Sequence, residues 1–411
     1  MTSFASIFRS LIRSSNEPRQ PYKKYECQTY HEEHCTICPA IALRYEAEVK
    51  LKDRAFKEFW SKNRLPGEPE PLAASPLGRR YRTNSKRRVF TTREGPLLGF
   101  TEMDRSGRIR PSDVIDCPIE PADHSRIYNL VQQFIDDRSG RALGRELNYV
   151  IVKGSYEQLT VLLSLKRYTP SLNTLINQLS KTITREVKPV AGIFSFLDEH
   201  SRYYMSDKAD VSPQGFRKIF GTSEIIETIA GNKLAYSPLA FSQTNASLIN
   251  WMVQKAAEFL KPNPQEKLYD WYCGYGVFGI SLAHAYKTVH GVESSLEAVE
   301  SAKGNASRLK IPNVRFTCAR LDRGTVLKFP VGNETVVILD PPRNGTDQGV
   351  IEWLAEGDIK KALHLFCDTD GIPKEIERWN RCGFRPVRVL PFDMFPATDN
   401  VETMVLLEPI D

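Results

Sequence analysis

The sequence predicts an α/β protein whose C-terminal part, residues 236–411, forms a doubly wound sheet. Seven short apolar runs occur there, and segments with helical periodicity separate most of them. Such alternation is typical of a sheet with helices on both faces. Sheets of this kind bind ligands at the carboxyl ends of their strands, so the residues that end the runs are the first candidates for a functional site. The runs are Leu268–Tyr272, Val289–Val292, Val314–Phe316, Thr335–Leu339, Ala362–Phe366, Pro386–Leu390 and Met404–Leu407.

An α+β domain is predicted over residues 76–235. Asn148–Gly154 and Gln158–Lys166 are two β-rich runs joined by a short turn. Residues 172–184 have helical spacing, and Val187–Leu197 is again strand-like. This mixture of strands and helix is what the prediction rests on.

Residues 1–75 contain three cysteines, a charged helical stretch from about Ile41 to Trp60, and the Pro-rich linker Pro66–Pro76. Apolar residues and arginines alternate at the start of this region. They predict either an amphipathic helix or an Arg- and Ser-rich organelle transit peptide. We favour the helix, and with it a cytoplasmic protein. The apolar residues are Phe4, Ile7, Phe8, Leu11 and Ile12.

The length and composition limit the classes of protein to which this chain can belong. A chain of 411 residues is expected to form two or three domains. Its 41% hydrophobic and 26% charged residues are ordinary for a globular protein. No run approaches the roughly 18 apolar residues of a membrane helix, so no membrane partner is expected. The net charge of +6 permits an anionic partner without requiring one.

The residues after the first two predicted strands suit a nucleoside ligand. The glycine turn Cys273–Gly276 follows the first strand, and glycines there let the backbone approach a ligand closely. Glu293 ends the second strand, where an acidic side chain can bind a ribose diol; a solvated surface glutamate is the alternative. S-adenosylmethionine carries a ribose and a cationic sulfonium, which the acidic Asp270 and Glu293 suit. Asp322, after the third strand, could meet its adenine.

The fourth predicted strand ends in Asp340-Pro341-Pro342-Arg343. Two consecutive prolines fix an extended backbone and can hold Asp340 at the strand end. Enzymes that methylate exocyclic amines tend to carry an aromatic residue after the two prolines. Arg343 occupies that place, which argues against this chemistry.

Cys367 ends the fifth predicted strand, opposite Asp340. A lone cysteine in an apolar strand is a core residue more often than a nucleophile, but the strand end favours chemistry. A thiolate that adds to carbon 6 of uracil makes carbon 5 nucleophilic toward a methyl group, and it leaves well afterwards. The carbon 5 proton must then go to a base, and Glu402, just before the last strand, could accept it.

An ordered set of motifs resembles the RNA uracil-5-methyltransferases, the family that contains RlmC, RlmD and TrmA. Each motif alone is moderately specific, but the ordered set is highly specific, and the resemblance covers essentially residues 25–411. The motifs are Phe241-Ser242-Gln243-Thr244-Asn245, Tyr272-Cys273-Gly274-Tyr275-Gly276, Asp340-Pro341-Pro342-Arg343-Asn344-Gly345, Cys367, Asp393-Met394-Phe395-Pro396 and Val401-Glu402-Thr403.

The resemblance implies a Rossmann-like class I S-adenosylmethionine methyltransferase domain at residues 236–411. It also implies roles for individual residues: Cys367 is the nucleophile and Glu402 the proton acceptor. Two positions depart from the family, which usually has Asn at Asp368 and His at Asn400, and both put the rate in doubt. The residues implied to contact the methyl donor are Gln243, Tyr272, Glu293 and Asp340.

A cysteine cluster precedes this domain. Three cysteines lie within residues 27–38, and Cys117 follows at a distance. Their spacing alone leaves zinc and a [4Fe–4S] cluster open. The resemblance favours iron–sulfur, with residues 1–75 as the cluster-binding region and Cys117 supplied by a central RNA-binding domain, residues 76–235. We expect the cluster to be structural. Its ligands would be Cys27, Cys35, Cys38 and Cys117.

The segment Arg79–Arg88 has six basic residues in ten. It is either a solvated strand or loop, or a phosphate-binding surface with Tyr81 as a stacking aromatic. We favour the second, because a target uridine must be splayed from its loop to reach Cys367.

The features most similar to the ribosomal RlmC branch imply the substrate: a uridine in a structured loop of 23S ribosomal RNA. These features are the seven-residue gap between the first two cysteines, the absence of a preceding barrel domain, and Pro76–Arg88. Two alternatives remain: methylation of tRNA, and a catalytically dead iron–sulfur RNA-binding protein, to which Asp368 and Asn400 give some support. The sequence indicates no protein partner.

Overall fold

A computed structural model describes residues 2–16, 27, 35–103, 109–112, 116–198 and 216–410. The chain begins with helix Phe4–Ser14, where the Ser3 hydroxyl accepts the Ser6 amide at 3.2 Å as an N-cap. The predicted amphipathic helix is therefore confirmed. The charged stretch predicted from Ile41 is also a helix, with bounds Tyr45–Lys62. The apolar face of the first helix consists of the buried residues Phe4, Ile7, Phe8 and Leu11.

Seven strands form the central sheet in the order β3-β2-β1-β4-β5-β6-β7. The predicted pair of β-rich runs is confirmed as the antiparallel neighbours β4 and β5, and the run after them as β6. Helices Ala122–Asp136, Arg141–Glu146 and Pro170–Glu186 cover one face. The strands are β1 Ser85–Thr91, β2 Pro96–Met103, β3 Ile109–Ser112, β4 Leu147–Gly154, β5 Leu159–Leu165, β6 Val190–Leu197 and β7 Phe216–Gly221.

A hairpin of β8, Ile225–Ile229, and β9, Asn232–Tyr236, leads into the C-terminal sheet. The buried Ile225, Leu234 and Tyr236 share a hydrophobic cluster with that sheet. By packing, the C-terminal unit thus begins near residue 225, before the predicted boundary at 236.

The C-terminal sheet has the strand order β12-β11-β10-β13-β14-β16-β15. Neighbours from β12 to β14 are parallel, and β16 is antiparallel to both β14 and β15. All seven predicted runs are strands, which confirms the doubly wound α/β prediction. They are β10 Lys267–Trp271, β11 Thr288–Glu293, β12 Val314–Cys318, β13 Thr335–Leu339, β14 Lys361–Phe366, β15 Phe384–Phe392 and β16 Glu402–Pro409.

Helices lie on both faces of this sheet, as the alternation predicts. The shortest, Val277–Leu282, begins directly after the glycine turn, at Gly276 with φ +89°. In the part of the chain that the structure describes, no helix is long and apolar enough to cross a membrane. The remaining helices are Ile249–Leu260, Leu296–Arg308, Val350–Glu356 and Ile372–Arg381.

The two N-terminal helices pack on the C-terminal sheet. Phe8 and Phe56 are fully buried in one cluster with Trp271, Leu339 and Val405. The Pro-rich linker continues this contact along β15, where the Ala73 amide donates to the Pro391 carbonyl at 2.9 Å. The described part of residues 1–75 therefore shares its core with the C-terminal unit.

Candidate active site

The carboxyl ends of three neighbouring strands bring Tyr272, Glu293 and Asp340 together. The register pairs Trp271 with Val292 on one side and Leu339 on the other, so the next residue of each strand lies at the same edge. Backbone hydrogen bonds continue past the strands: the Tyr272 amide donates to the Val292 carbonyl at 2.8 Å, and the Asp340 amide to the Trp271 carbonyl at 3.3 Å.

The glycine turn wraps around two carboxylates of this edge. The Gly274 amide donates to Glu293 at 3.2 Å, and the Gly279 amide donates to Asp270 at 2.7 Å. Gly276 has φ +89°, which glycine adopts without strain, whereas Tyr272 takes the left-handed region at φ +64° despite its side chain. Gly274, Gly276 and Gly279 match the G-x-G-x-x-G spacing, so the glycines alone do not separate a dinucleotide from a methyl donor.

The charge of the site favours a cationic methyl donor over a dinucleotide. Burial raises the pKa of Asp270 to about 7, and the neighbouring Asp340 and Glu293 raise it further. Burial, followed by Glu293, raises the pKa of Asp340 to about 7 as well. Within the described residues, the charged groups that shift these two carboxyls are all carboxylates. A cluster of uncompensated acids repels phosphate and attracts a cationic ligand.

Gln243 reaches this cluster from the segment between β9 and the helix Ile249–Leu260. Its side-chain amide donates to Asp340 at 3.4 Å. The central domain holds the segment, because the Thr83 amide donates to the Thr244 carbonyl at 2.9 Å and the Asn84 side chain to the Ser242 carbonyl at 3.0 Å. Asp322 has a local role instead: its carboxylate accepts the amides of Gly324 and Thr325.

Cys367 and Glu402 lie on adjacent strands. The register pairs Phe366 with Thr403, so the next pair outward is Cys367 opposite Glu402. Burial raises the pKa of the Cys367 thiol to about 12, and the carboxylates of Glu402, Asp340 and Asp368 act in the same direction. Burial, with Asp340 second, also raises the pKa of Glu402 well above its usual range.

Arg343 is the cation that opposes both shifts. It is exposed, and it lowers the pKa of Cys367, Glu402 and Asp368. The sequence interpretation used Arg343 only to exclude amine methylation and missed this electrostatic role. Its position directly after Pro342 was the available signal, because the prolines aim it at the same edge as Asp340.

Both departures from the family lie beside the nucleophile. The Asn400 side chain donates to the Cys367 carbonyl at 3.4 Å, and so ties the strand of Cys367 to the loop before Glu402. Asp368 is half-buried, and burial followed by Asp370 raises its pKa.

The predicted metal ligands converge around Cys38. Its thiol is buried with Ile41, Tyr81 and Ile119, against which Cys27 and Cys117 pack. Burial raises the pKa of Cys38, and Cys117, Cys35 and Cys27 raise it further. Within the described ranges, however, no group of three or more His, Cys, Asp or Glu side chains has an arrangement that could hold a metal ion.

The basic segment is not one RNA-binding surface, and the expectation is wrong for three of its residues. Tyr81 is fully buried and cannot stack on a base. Arg79 donates to Glu48 at 3.1 Å and to the carbonyls of Ala40, Ile41 and Leu43. Arg87 is buried in an ion pair with Glu120 at 2.8 Å.

The alternation of β1 is the physical reason. Ser85, Arg87 and Val89 are buried toward the helices, whereas Lys86 and Arg88 are on the other face of the sheet. Arg87 also lies between the rings of Phe100 and Tyr128, at 3.9 and 4.4 Å from their centroids. Lys86 and Arg88 remain candidates for RNA contact.

Sequence reasoning also missed a buried ion network behind the site. Lys52 and Glu48 are fully buried on the second N-terminal helix, and Lys52 pairs with both Glu48 and Asp393, which lies before β16. Their helical spacing places Glu48 and Lys52 on the same face as the apolar Phe56 and Phe59. Two charges on an apolar face were a usable signal for a buried partner.

Comparison with known proteins finds a matching family model and several relatives. A model described as tRNA (Uracil-5-)-methyltransferase matches residues 217–410. The 23S rRNA (uracil(747)-C(5))-methyltransferase RlmC of Xenorhabdus nematophila is 25% identical over 400 residues, which cover 93% of this chain and 99% of the relative. An uncharacterized RNA methyltransferase of Clostridium tetani is 27% identical over 403 residues, 95% of this chain and 85% of that one.

A solved structure shares the fold. The tRNA (uracil-54, C5)-methyltransferase of Pyrococcus abyssi, in complex with S-adenosyl-L-homocysteine, superposes with a TM-score of 0.68. The alignment has 22% sequence identity and covers 90% of this chain and 85% of that one. The C-terminal part of the chain, residues 217–410, thus matches the uracil-5-methyltransferase family, and 93% of the chain aligns with an RlmC relative.

Proposed function

We propose that this protein transfers the methyl group of S-adenosylmethionine to carbon 5 of a uridine in 23S ribosomal RNA, with Cys367 as nucleophile. The observation that carries the proposal is the pairing of Cys367 with Glu402 beside the carboxylate cluster of Asp340. A nucleophile and a base on neighbouring strands are what addition and elimination at one pyrimidine ring require.

Four residues are proposed to bind the methyl donor. Glu293 would accept the ribose hydroxyls, and Asp340, held by Gln243, would face the sulfonium. Tyr272, whose backbone is in the left-handed region, would contact the donor at the same edge. The donor supplies a methyl group on a cationic sulfur, and the uncompensated carboxylates of this edge fit that charge.

The chain's own residues would carry the remaining steps. The Cys367 thiolate forms a bond to carbon 6, and carbon 5 becomes the nucleophile that accepts the methyl group. Glu402 then takes the carbon 5 proton; the freed electron pair restores the 5,6 double bond and expels the thiolate. Arg343 favours both steps, because it lowers the pKa of the thiol and of the base.

The RNA target is the finer part of the proposal. The ribosomal RlmC relative is matched over nearly its whole length, which supports a 23S target. Mapping 5-methyluridine in ribosomal and transfer RNA from a deletion strain tests it. Loss of one or two 23S sites supports the proposal, loss of a tRNA site reassigns the substrate, and no loss supports a catalytically dead RNA-binding protein.

A [4Fe–4S] cluster at Cys27, Cys35, Cys38 and Cys117 is also proposed. The electrostatic influence of the other three thiols on Cys38 supports it, as does Arg79, which lowers the pKa of Cys38. Anaerobically purified protein should be brown and contain iron and sulfide, and Cys117→Ala should lose both. Zinc without iron or sulfide would overturn the assignment.

Methyl transfer from labelled donor to RNA tests the activity itself. The wild type should label ribosomal RNA, and Cys367→Ala should lose this activity while it keeps the fold and donor binding. Cys318→Ala is the matched control, because Cys318 is exposed on β12 and should leave the rate unchanged. Near-normal activity of Cys367→Ala would remove the proposed nucleophile.

A further inference from the structure

The segment between β15 and β16, residues 393–401, leads directly into Glu402, and we name it the base loop. Phe392 and Glu402 are paired residues of the two strands, so the base loop closes over nine residues between them. A shift of this loop would displace the backbone that adjoins Glu402. The base loop is held mainly by residues outside its own sheet.

Lys52 holds the start of the base loop. Its ammonium group donates to the Asp393 carboxylate at 2.7 Å and to the Phe395 carbonyl at 3.0 Å. It also pairs with Glu48 at 3.0 Å, and the side chains of Lys52, Glu48 and Asp393 are all 0% exposed. The second oxygen of Asp393 accepts the Tyr45 hydroxyl at 3.1 Å.

Glu48 holds the middle of the base loop, at Ala397. This alanine has φ +71°, a left-handed conformation that an L residue keeps only where its surroundings impose it. Its amide donates to Glu48, and its carbonyl accepts the Ala40 amide at 3.0 Å. Arg79 binds the other oxygen of Glu48 at 3.1 Å.

The end of the base loop contacts the nucleophile's strand. Asn400 donates to the Cys367 carbonyl at 3.4 Å, and Thr369 donates to the Val401 carbonyl at 2.9 Å. The loop is thus attached to the Lys52 network at its start and to the strand of Cys367 at its end. Glu402 follows the second attachment immediately.

We propose that Lys52 is a positioning residue for the base: through Asp393 and Phe395 it fixes the base loop, and hence the carboxylate of Glu402, over the carbon 5 proton. The inference rests on the proposed function. It gives helix Tyr45–Lys62 a role in one particular step. No side chain of the base loop is a reactant in the formation of the Cys367 adduct or in methyl transfer, whereas proton removal needs Glu402 in place.

Lys52→Met separates these steps. The probe is unmodified ribosomal RNA that carries tritium at carbon 5 of uridine, with full-length protein and methyl donor. Release of tritium to water reports proton removal, and protein–RNA adduct on a denaturing gel reports addition and methylation. We expect tritium release to slow about 100-fold, as for a displaced catalytic group, while adduct forms within about threefold of the wild-type rate and accumulates.

Lys57→Met is the matched control. Lys57 lies on the same helix, 49% exposed, in an ion pair with Asp53 at 2.7 Å, and its substitution should change neither rate. Equal slowing of adduct formation and tritium release in Lys52→Met, or no change in either, would overturn the positioning role. Absence of adduct and of tritium release in the wild type would instead overturn the proposed function itself.

Tyr45→Phe keeps the inference testable if Lys52→Met does not fold. It removes the hydrogen bond to Asp393 and the acceptor of the Ser75 amide, and leaves the ion pair with Lys52 in place. Tritium release should slow about tenfold, the value of one hydrogen bond to a charged group, with adduct formation unchanged. Lys52→Arg should restore the wild-type ratio of the two rates in part. A Tyr45→Phe enzyme with the wild-type ratio would contradict the proposal.

Discussion

Two groups of buried charges lie within the same unit and differ in one respect. At the sheet edge, Asp270 and Asp340 are carboxylates whose charged neighbours are other carboxylates. Behind the base loop, Glu48 and Asp393 are also buried carboxylates, but Lys52 lies between them. The negative charge of the first group has no counter-charge among the described residues, whereas the second group contains its own counter-charge.

This difference distinguishes buried charges that bind a ligand from buried charges that stabilise the fold. A buried charge without a counter-charge destabilises the protein, and it persists where a ligand supplies the missing sign. A network with both signs of charge fixes the positions of its members. The loss of one member leaves a buried partner that has lost its contact with water and has no counter-charge. Removal of a charge should therefore have opposite effects on stability in the two groups.

The largest expected effect on stability concerns another compensated pair, Arg87 with Glu120. Arg87→Met should lower the free energy of unfolding by about 3–5 kcal/mol, because it leaves the buried Glu120 without its partner. Denaturant titration measures this change. Arg88→Met is the control one position along β1, with an expected change within about 0.5 kcal/mol. Equal effects of the two would mean that β1 does not alternate as described.

Asp340→Asn tests the carboxylates at the sheet edge, which lack a counter-charge in the described part of the chain. Affinity for S-adenosylmethionine should fall about 10- to 100-fold, because a charged contact is replaced by a neutral one. The melting temperature of the free protein at pH 8 should stay equal or rise, since an uncompensated charge is removed. Calorimetry of binding and of unfolding gives both values. A strongly lowered melting temperature would place Asp340 among the structural charges.

Donor binding should depend on pH in the same region. Asp340 in the free protein has its pKa raised to about 7, so below that pH a proton competes with the cationic donor. The dissociation constant should be about tenfold larger at pH 6 than at pH 8 and level off above pH 8. Asp340→Asn should weaken this dependence, with Asp270 as the remaining titrating group. A flat profile in the wild type would contradict the charge argument.

The smallest expected effect is on RNA binding. Arg88→Met should weaken RNA affinity a few-fold and reduce the salt slope of binding by about one, the value for one phosphate contact. The same variant serves as the stability control above, so a folding defect is recognised independently. An unchanged slope would leave Arg88 as a solvated residue of the sheet.

The apolar runs made the C-terminal sheet predictable, because each buried strand needs a continuous hydrophobic stretch. The positions of Cys367 and Asp340 followed from this, since parallel strands end at one edge. The contact of Lys52 with Asp393 was not predictable: Asp393 is 341 residues away, and no local pattern specifies that contact. The basic segment was misinterpreted because the number of basic residues does not show which face of a strand each one occupies. Alternate residues of the strand lie on opposite faces, so Arg87 points inward and Arg88 outward.

Trapping of the covalent intermediate is the most direct test of the proposal that Cys367 and Glu402 act on one pyrimidine ring. Glu402→Gln should still form the bond to carbon 6 and accept the methyl group, but should not remove the carbon 5 proton. With RNA and methyl donor it should give a slow band on a denaturing gel, and the band should disappear in the Cys367→Ala/Glu402→Gln double variant. A Glu402→Gln enzyme that releases methylated RNA at the wild-type rate, or an adduct that persists without Cys367, would contradict the account.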